Sequence, residues 1–168
     1  AYEVRDLVHK TGIPAVETFM ARGTLSHDDD LLISMLGMHG SYAANMAMSE
    51  TDLVIGLGAR FDDCATGKIS EFAKNADVIH VDIDPASISN LINADYPIVG
   101  DVKNVVNEML GLCEQVKSEK YKSWRETVKH FDELHPLTYH EDTDRLKPQR
   151  VIERVGELLG DDAHISTD

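Results

Sequence analysis

The stretch MLGMHGSYAANMAMSETDLVIGLGARFDD, from Met35 to Asp63, decides the fold. Within it, DLVIGLGA (Asp52–Ala59) is a short apolar run interrupted only by glycines, which is typical of a buried β-strand. The turn that follows, GLGARF, has the first two glycines of a dinucleotide-binding loop and lacks the third. The pattern therefore predicts a strand that ends either in a nucleotide site or in an ordinary strand–turn.

Helices and strands are predicted to alternate on both sides of this stretch. The predicted helices are Ala1–Lys10, Tyr42–Ser49, 67–75, 85–93 and 102–116, and the other predicted strands are Ile13–Phe19, Asp77–Asp84 and Tyr96–Asp101. Alternation of this kind indicates β-α-β units. We therefore predict an α/β fold with a Rossmann-like parallel sheet flanked by helices.

The composition changes at Lys117, where charged residues become frequent and apolar ones sparse. A surface helix with Trp124 and Phe131 facing inward is predicted there, and a second amphipathic helix begins at Pro148 and ends at Gly160, followed by a strand. These changes predict a central domain at 1–116, a helical linker at 117–147 and the truncated start of another domain at 148–168. Since neither end carries a natural start or stop signal, we expect a piece of a longer polypeptide.

Charge and composition exclude several classes of partner. The formal net charge of −14 argues against nucleic acid or an anionic membrane surface, which such a protein repels. No apolar run approaches the ~20 residues of a membrane span. Cys64 and Cys113 form no C-x-x-C pair, so neither a disulfide framework nor a metal site is predicted. Reduced thiols of this kind are typical of a cytoplasmic protein.

Glycines and polar residues follow the predicted strands where the carboxyl ends of a parallel sheet meet, an edge we call the rim. Gly56 and Gly58 would let a ligand approach the backbone closely. Arg60 carries a guanidinium suited to a pyrophosphate. Asp82 lies 24 positions after Gly58, near the spacing at which dinucleotide sites place an acid for the ribose hydroxyls. The rim is therefore the candidate ligand site.

Motifs for nucleophilic or metal-assisted catalysis are not found in the sequence. It contains no G-x-S-x-G, no H-E-x-x-H and no Walker loop. Cys64 follows Asp62 and Asp63, whose charges disfavour a reactive thiolate. No catalytic residue and no metal ligand is therefore predicted in this chain.

Three strings together carry a family resemblance: GMHG…AN, RFDD…TGK and HVDIDP. With them, nearly the whole chain resembles the central domain of the acetolactate synthase family, and the ending DDAHISTD resembles the start of that family's third domain. The resemblance implies a thiamine-diphosphate-dependent transferase that condenses two pyruvates, or pyruvate and 2-oxobutyrate, with loss of CO2, in isoleucine and valine biosynthesis. It also implies Mg²⁺, an FAD without net redox role in the central domain, a homo-oligomer and a regulatory small subunit.

Carried over by position, the resemblance places FAD contacts at the ends of successive strands. They are Thr18, Phe19, Met20, Leu36, Gly37, Met38, His39, Gly58, Ala59, Arg60, Asp62, Asp82, Ile83, Gly100, Asp101 and Val102.

The chain also departs from the family pattern. Cys64 stands where the family usually has arginine. The family's catalytic glutamate, its metal–diphosphate motif and the first strand of its central domain do not occur in this sequence. The chain is therefore expected to hold part of a flavin site and to be inactive alone. Two alternatives remain open: the central domain of another thiamine-diphosphate carboligase or oxidase, and a self-contained nucleotide-binding module.

Overall fold

The computed structural model describes residues 1–113, 116–141, 144–160 and 163–165. The chain divides into two compact units, Ala1–Pro136 and Leu137–Asp168. The first unit contains all the strands of the described residues. The boundaries predicted above at 116 and 147 stay predictions.

Five parallel strands form two sheets in the first unit. They are β1 (Ala15–Glu17), β2 (Leu32–Met35), β3 (Leu53–Leu57), β4 (Asp77–Asp82) and β5 (Tyr96–Val99). Strand β1 pairs with β2 in one sheet, and the other sheet has the order β3-β4-β5. Within the described residues no strand pair joins the two sheets. Parallel sheets flanked by helices confirm the predicted α/β class.

In the described residues, six α-helices surround or follow the strands. They are α1 (Tyr2–Thr11), α2 (Tyr42–Glu50), α3 (Asp63–Thr66), α4 (Val102–Leu112), α5 (Lys122–Leu134) and α6 (Pro148–Leu159). Helix α1 packs on α4, and α2 packs on α5 and β2. No helix of the described part has both the length and the apolar character needed to cross a membrane.

Three helices of the first unit, α2, α3 and α4, begin at polar caps. The side chains of Ser41, Asp62 and Asp101 each accept a hydrogen bond from the backbone N–H three residues later, at the starts of α2, α3 and α4. Such a cap satisfies one of the N–H groups that the first helical turn leaves unpaired. Two of these three caps, Asp62 and Asp101, lie at the rim.

The core of the larger sheet centres on Val54, Phe61, Ala73, Val78 and Ile92. Their burial removes apolar surface from water, which is the main favourable contribution to folding. Because Phe61 belongs both to this core and to the turn after β3, core packing and the shape of the rim are coupled.

Two predicted helices were wrong. Residues 67–75 contain only a short 3-10 turn, since Ala73 adopts a left-handed φ of 45° as it packs into the core. Residues 85–93 form turns, because the Asp84 carboxylate accepts from the Ala86 N–H and Ser89 has a φ of 58°. Side chains that bond nearby backbone compete with helix formation. The strand expected after Gly160 lies mostly at 161–162 and 166–168, outside the described residues.

Helix α5 belongs to the first unit and packs on its other helices. Arg125 donates to the carbonyls of Gly12 and Ser118, both at 2.9 Å, and so joins α5 to the end of α1. The ring of Tyr42 in α2 lies edge-on to Phe131 and His135.

In the second unit, the Tyr139 hydroxyl donates to the Glu153 carboxylate, which raises the pKa of Tyr139.

We expect Asp29→Asn to alter how stability depends on pH. His9 Nε2 donates to Asp29 Oδ2 at 2.6 Å and the Leu31 N–H donates to Oδ1 at 3.0 Å, and these bonds lower the pKa of Asp29, His9 contributing most. A lowered carboxyl pKa adds stability above the unfolded pKa of about 4, and this stability is lost as pH falls through the lower folded pKa. The variant should therefore be less stable than the wild type at pH 6 and converge with it in acid.

Urea unfolding midpoints between pH 3 and pH 7 measure this convergence. Asp28→Asn is the matched control, since Asp28 is exposed and makes no hydrogen bond or ion pair within the described residues. A difference between Asp29→Asn and wild type that stays constant across this pH range would contradict the assignment.

Candidate functional site

The ends of the three strands in the larger sheet are tied to one another by backbone hydrogen bonds. The Gly58 N–H donates to the Val81 carbonyl at 2.8 Å, and the Gly100 N–H donates to the Asp82 carbonyl at 2.9 Å. A Cβ added at Gly58 would lie 3.5 Å from Val102 at the start of α4. The turns after β3, β4 and β5 therefore lie side by side.

The loop after β2 contacts the start of α3. The Met38 N–H donates to the Cys64 carbonyl at 2.9 Å. The Asn45 side-chain oxygen accepts a hydrogen bond from the Gly37 N–H, and the Asn45 side-chain NH2 donates one to the Gly37 carbonyl, each at 3.0 Å. The Leu36 N–H donates to the Glu17 carbonyl at 2.9 Å, which ties the end of β1 to the end of β2. Contacts thus run along the rim from the end of β1 to the end of β5.

The predicted contact residues all lie on this rim, but they differ in what they can offer a ligand. Leu36 and Gly37 are buried with their N–H groups already bonded. Asp62 and Asp101 use a carboxylate oxygen as a helix cap, and Asp82 accepts from the Asp84 N–H at 2.8 Å. The predicted residues that are exposed or half-buried and whose side chains do not cap a helix are Thr18, Phe19, Met20, Met38, His39, Gly58, Ala59, Arg60, Ile83, Gly100 and Val102, although the N–H groups of Met38, Gly58 and Gly100 are also bonded.

Arg60 is the unpaired cation of the first 113 residues. The other lysines and arginines of that range each have a hydrogen bond or an ion pair with a protein group, and they are Arg5, Lys10, Arg22, Lys68, Lys74 and Lys103. The Arg60 side chain is exposed and makes no such contact with any described residue. Its guanidinium is therefore available to an anion, in a protein whose net charge is −14.

Each of four strand ends on the rim carries at least one exposed large apolar side chain. Phe19 and Met20 follow β1, Met38 follows β2, Ile83 follows β4 and Val99 ends β5, and each is 61–86% exposed. Large apolar side chains grouped on a surface mark a binding site more often than isolated ones do. The rim therefore combines a free cation with apolar surface, which suits a ligand that has both a phosphate and a flat ring.

The expectation that Gly56 lets a ligand approach the backbone was wrong. A Cβ at Gly56 would lie 2.5 Å from Cζ of Phe61, so the space that glycine leaves open is filled by a core ring and not by a ligand. At Gly58 glycine is favoured for a different reason: its φ is +64°, a left-handed conformation that glycine adopts without steric cost. Phe61 itself has a φ of 53° and its ring lies 4.9 Å from His80.

Glu17, at the end of β1, and His80, within β4, are buried polar residues that sequence reasoning did not identify. Glu17, at the end of β1, is 3% exposed and accepts from the Leu25 N–H at 2.9 Å. His80, in β4, is 0% exposed and its Nε2 lies 2.8 Å from the Ala59 carbonyl. Both could have been found from the sequence, because each is a charged or titratable residue inside a predicted buried strand. Such groups are buried only when they have partners.

Asp62, Asp63 and Cys64 lie within 4.8 Å of one another at the start of α3. They are partly or fully exposed, and Asp62 already caps the helix. Exposed acids beside a thiol do not by themselves make a metal site.

Several known proteins are similar to this chain over nearly its whole length. The acetolactate synthase large subunit of Buchnera aphidicola subsp. Schizaphis graminum is 37% identical over 167 residues, which is 99% of this chain and 29% of that protein. The acetolactate synthase of Mycobacterium leprae is 42% identical over 165 residues, covering 96% of this chain and 26% of that protein. The Lactococcus lactis subsp. lactis large subunit is 41% identical over 164 residues, covering 98% and 28%. The chain thus spans less than a third of these relatives.

Residues 1–109 match the family described as "Thiamine pyrophosphate enzyme, central domain". This range holds both sheets and all the rim residues described above. The chain therefore belongs to the thiamine pyrophosphate enzyme central-domain family.

Proposed function

We propose that this chain is the central domain of an acetolactate synthase. The whole enzyme would condense two pyruvates, or pyruvate and 2-oxobutyrate, with loss of CO2, at the start of isoleucine and valine biosynthesis. Support comes from relatives of that name at 37–42% identity across almost the entire chain. In this proposal, thiamine diphosphate and Mg²⁺ bind to parts of the enzyme outside this sequence. The chain supplies no catalytic residue and is inactive by itself.

We further propose that the rim binds FAD. The observation that carries this proposal is Arg60, an exposed cation that pairs with no described residue and lies on the rim that also carries exposed apolar side chains. The guanidinium would hold the pyrophosphate, since its planar fork matches phosphate oxygens. Phe19, Met20 and Met38 would cover apolar parts of the nucleotide, and Asp82 would accept a ribose hydroxyl. The flavin would contribute no net oxidation or reduction, so the work of these residues is to bind and orient it.

The remaining features of the enzyme are proposals of the same kind. It would be cytoplasmic and homo-oligomeric, with a regulatory small subunit as a further partner. Residues 1–116 would form the cofactor domain, 117–147 a linker and 148–168 the start of the thiamine-diphosphate domain. The net charge of −14 supports small-molecule ligands over nucleic acid, because a polyanion would be repelled.

Arg60→Ala tests the FAD site. Flavin absorbance titration after removal of bound flavin should show FAD bound at least about tenfold more weakly, the usual effect of losing a charged hydrogen bond. Riboflavin, which lacks the pyrophosphate, should bind equally to both proteins.

Lys68→Ala is the matched control, because it removes the same charge from an exposed side chain already paired with Glu71 at 3.7 Å. It should bind FAD as the wild type does. Equal FAD affinity in wild type and Arg60→Ala would show that the pyrophosphate lies elsewhere. Absence of FAD binding by the wild type would contradict the FAD proposal itself.

A further inference from the structure

His80 makes a single hydrogen bond from the interior of β4. Its imidazole is fully buried, and Nε2 lies 2.8 Å from the carbonyl oxygen of Ala59. Because a carbonyl can only accept, Nε2 carries the hydrogen. Nδ1 is buried and has no hydrogen-bond partner within the described residues. The imidazole therefore makes one hydrogen bond, to the Ala59 carbonyl, and leaves its other nitrogen buried without a partner among the described residues.

Packing alone does not account for an imidazole at this position. A buried nitrogen without a partner destabilises a protein, whereas a phenyl ring fills nearly the same space without that penalty. The Phe61 ring already lies edge-on to His80 at 4.9 Å, an arrangement open to two phenyl rings as well. The feature peculiar to histidine here is the N–H donated to Ala59.

The bonded carbonyl belongs to the turn that presents Arg60. Gly58 and Phe61 on either side both have left-handed φ values, +64° and 53°. A non-glycine residue such as Phe61 keeps this conformation only when its surroundings enforce it. The turn is fixed at Gly58 by the Val81 carbonyl, at Phe61 by its ring in the core, and at Ala59 by His80. Ala59 and Phe61 both flank Arg60, and the Ala59 carbonyl that His80 holds belongs to the peptide group joined to the Arg60 nitrogen.

We propose that His80 is a positioning residue that fixes the direction of Arg60 toward the pyrophosphate of the bound flavin nucleotide. This inference rests on the proposed FAD site. His80 does not touch the ligand and acts only through the Ala59 carbonyl. Pre-organisation of this kind favours binding because the turn need not be ordered when the ligand arrives.

His80→Phe tests the proposal in the protein expressed from its complete gene. The variant keeps the ring and loses the donor, so FAD should bind roughly fivefold more weakly, the net effect of one ordinary hydrogen bond. His80→Gln, whose side-chain amide can donate from a similar position, should recover part of the affinity. Val106→Ala, a truncation of another fully buried residue, should lower stability and leave FAD affinity unchanged.

A double-mutant cycle separates positioning from general destabilisation. If His80 acts through Arg60, His80→Phe should weaken FAD binding no further once Arg60 is alanine. Additive effects of the two substitutions, or unchanged affinity in His80→Phe, would overturn the proposal.

A second readout is independent of FAD. Amide hydrogen exchange in peptides covering 57–63 should accelerate in His80→Phe and stay slow in Val106→Ala. Unchanged exchange at 57–63 would overturn the positioning role even if FAD affinity fell. Conversely, if the wild type bound no FAD but exchange at 57–63 still accelerated in His80→Phe, the FAD site would be refuted and His80 would remain the anchor of the turn.

Discussion

Gly37→Ala is expected to lower the free energy of unfolding by about 3 kcal/mol or more, from backbone strain and overpacking together. Gly37 has a φ of +102°, which side chains rarely tolerate. A Cβ there would clash with the Cys64 carbonyl oxygen and lie 2.9 Å from Cα of Ala65. Both neighbours are backbone atoms at the start of α3, so they cannot move away without shifting the helix. Urea unfolding followed by circular dichroism gives the loss of stability.

Gly23→Ala isolates the backbone part of this effect. Gly23 has a φ of +88° and nothing within 4 Å of the added Cβ. It should cost only about 1–2 kcal/mol, the price of a left-handed conformation in a residue with a side chain. If Gly37→Ala and Gly23→Ala proved equally destabilising, the contact between the β2 loop and α3 would not be as close as described.

Glu17→Ala is the second large effect, with an expected loss of about 2–4 kcal/mol from unpaired backbone donors and a cavity. The Glu17 carboxylate accepts from the Leu25 N–H at 2.9 Å and lies 3.6 Å from the Arg22 guanidinium. Arg5 also stabilises the loop at 18–25, because it donates to the carbonyls of Gly23 and Thr24. Without the carboxylate, the buried Leu25 N–H has no partner.

Unfolding free energy and hydrogen exchange at 18–25 measure this loss. Glu71→Ala is the control, because Glu71 is also a carboxylate in ion pairs, here with Lys68 and Lys74, but is 54% exposed, and such surface pairs contribute little. Glu17→Gln, which keeps one acceptor oxygen, should fall between wild type and Glu17→Ala. A Glu17→Ala protein as stable as Glu71→Ala would mean that the 18–25 loop does not depend on the carboxylate.

The strands of the larger sheet could be predicted because each is a short apolar run bounded by glycine or acid. Strands β3, β4 and β5 all fall inside predicted strand segments. Strand β2 was missed, since its four residues follow Asp28–Asp30 and the whole region resembles a polar loop. A run as short as LLISML carries little periodicity, and its pairing with β1 is a tertiary contact.

That the strand ends meet at one rim was predictable from topology, while the internal packing of the rim was not. Parallel strands place their carboxyl ends together whatever the side chains, so Arg60 and Asp82 could be assigned to one edge. By contrast, the filling of Gly56 by Phe61 depends on a ring returning from the next turn, which no local pattern encodes. Likewise, the bond between His80 and Ala59 joins residues 21 positions apart.

The division of the strands into two ladders has a consequence for how the molecule loosens. Strand pairing transmits cooperativity within a sheet, and in the described residues no strand pairing joins β1-β2 to β3-β4-β5, so their coupling relies on loop contacts such as the Met38–Cys64 hydrogen bond. The two ladders are thus candidates for separate foldons, with the smaller one opening first. A nucleotide bound across both ladders would couple their opening. Its dissociation constant would then set how far apart the melting temperatures of the two ladders lie.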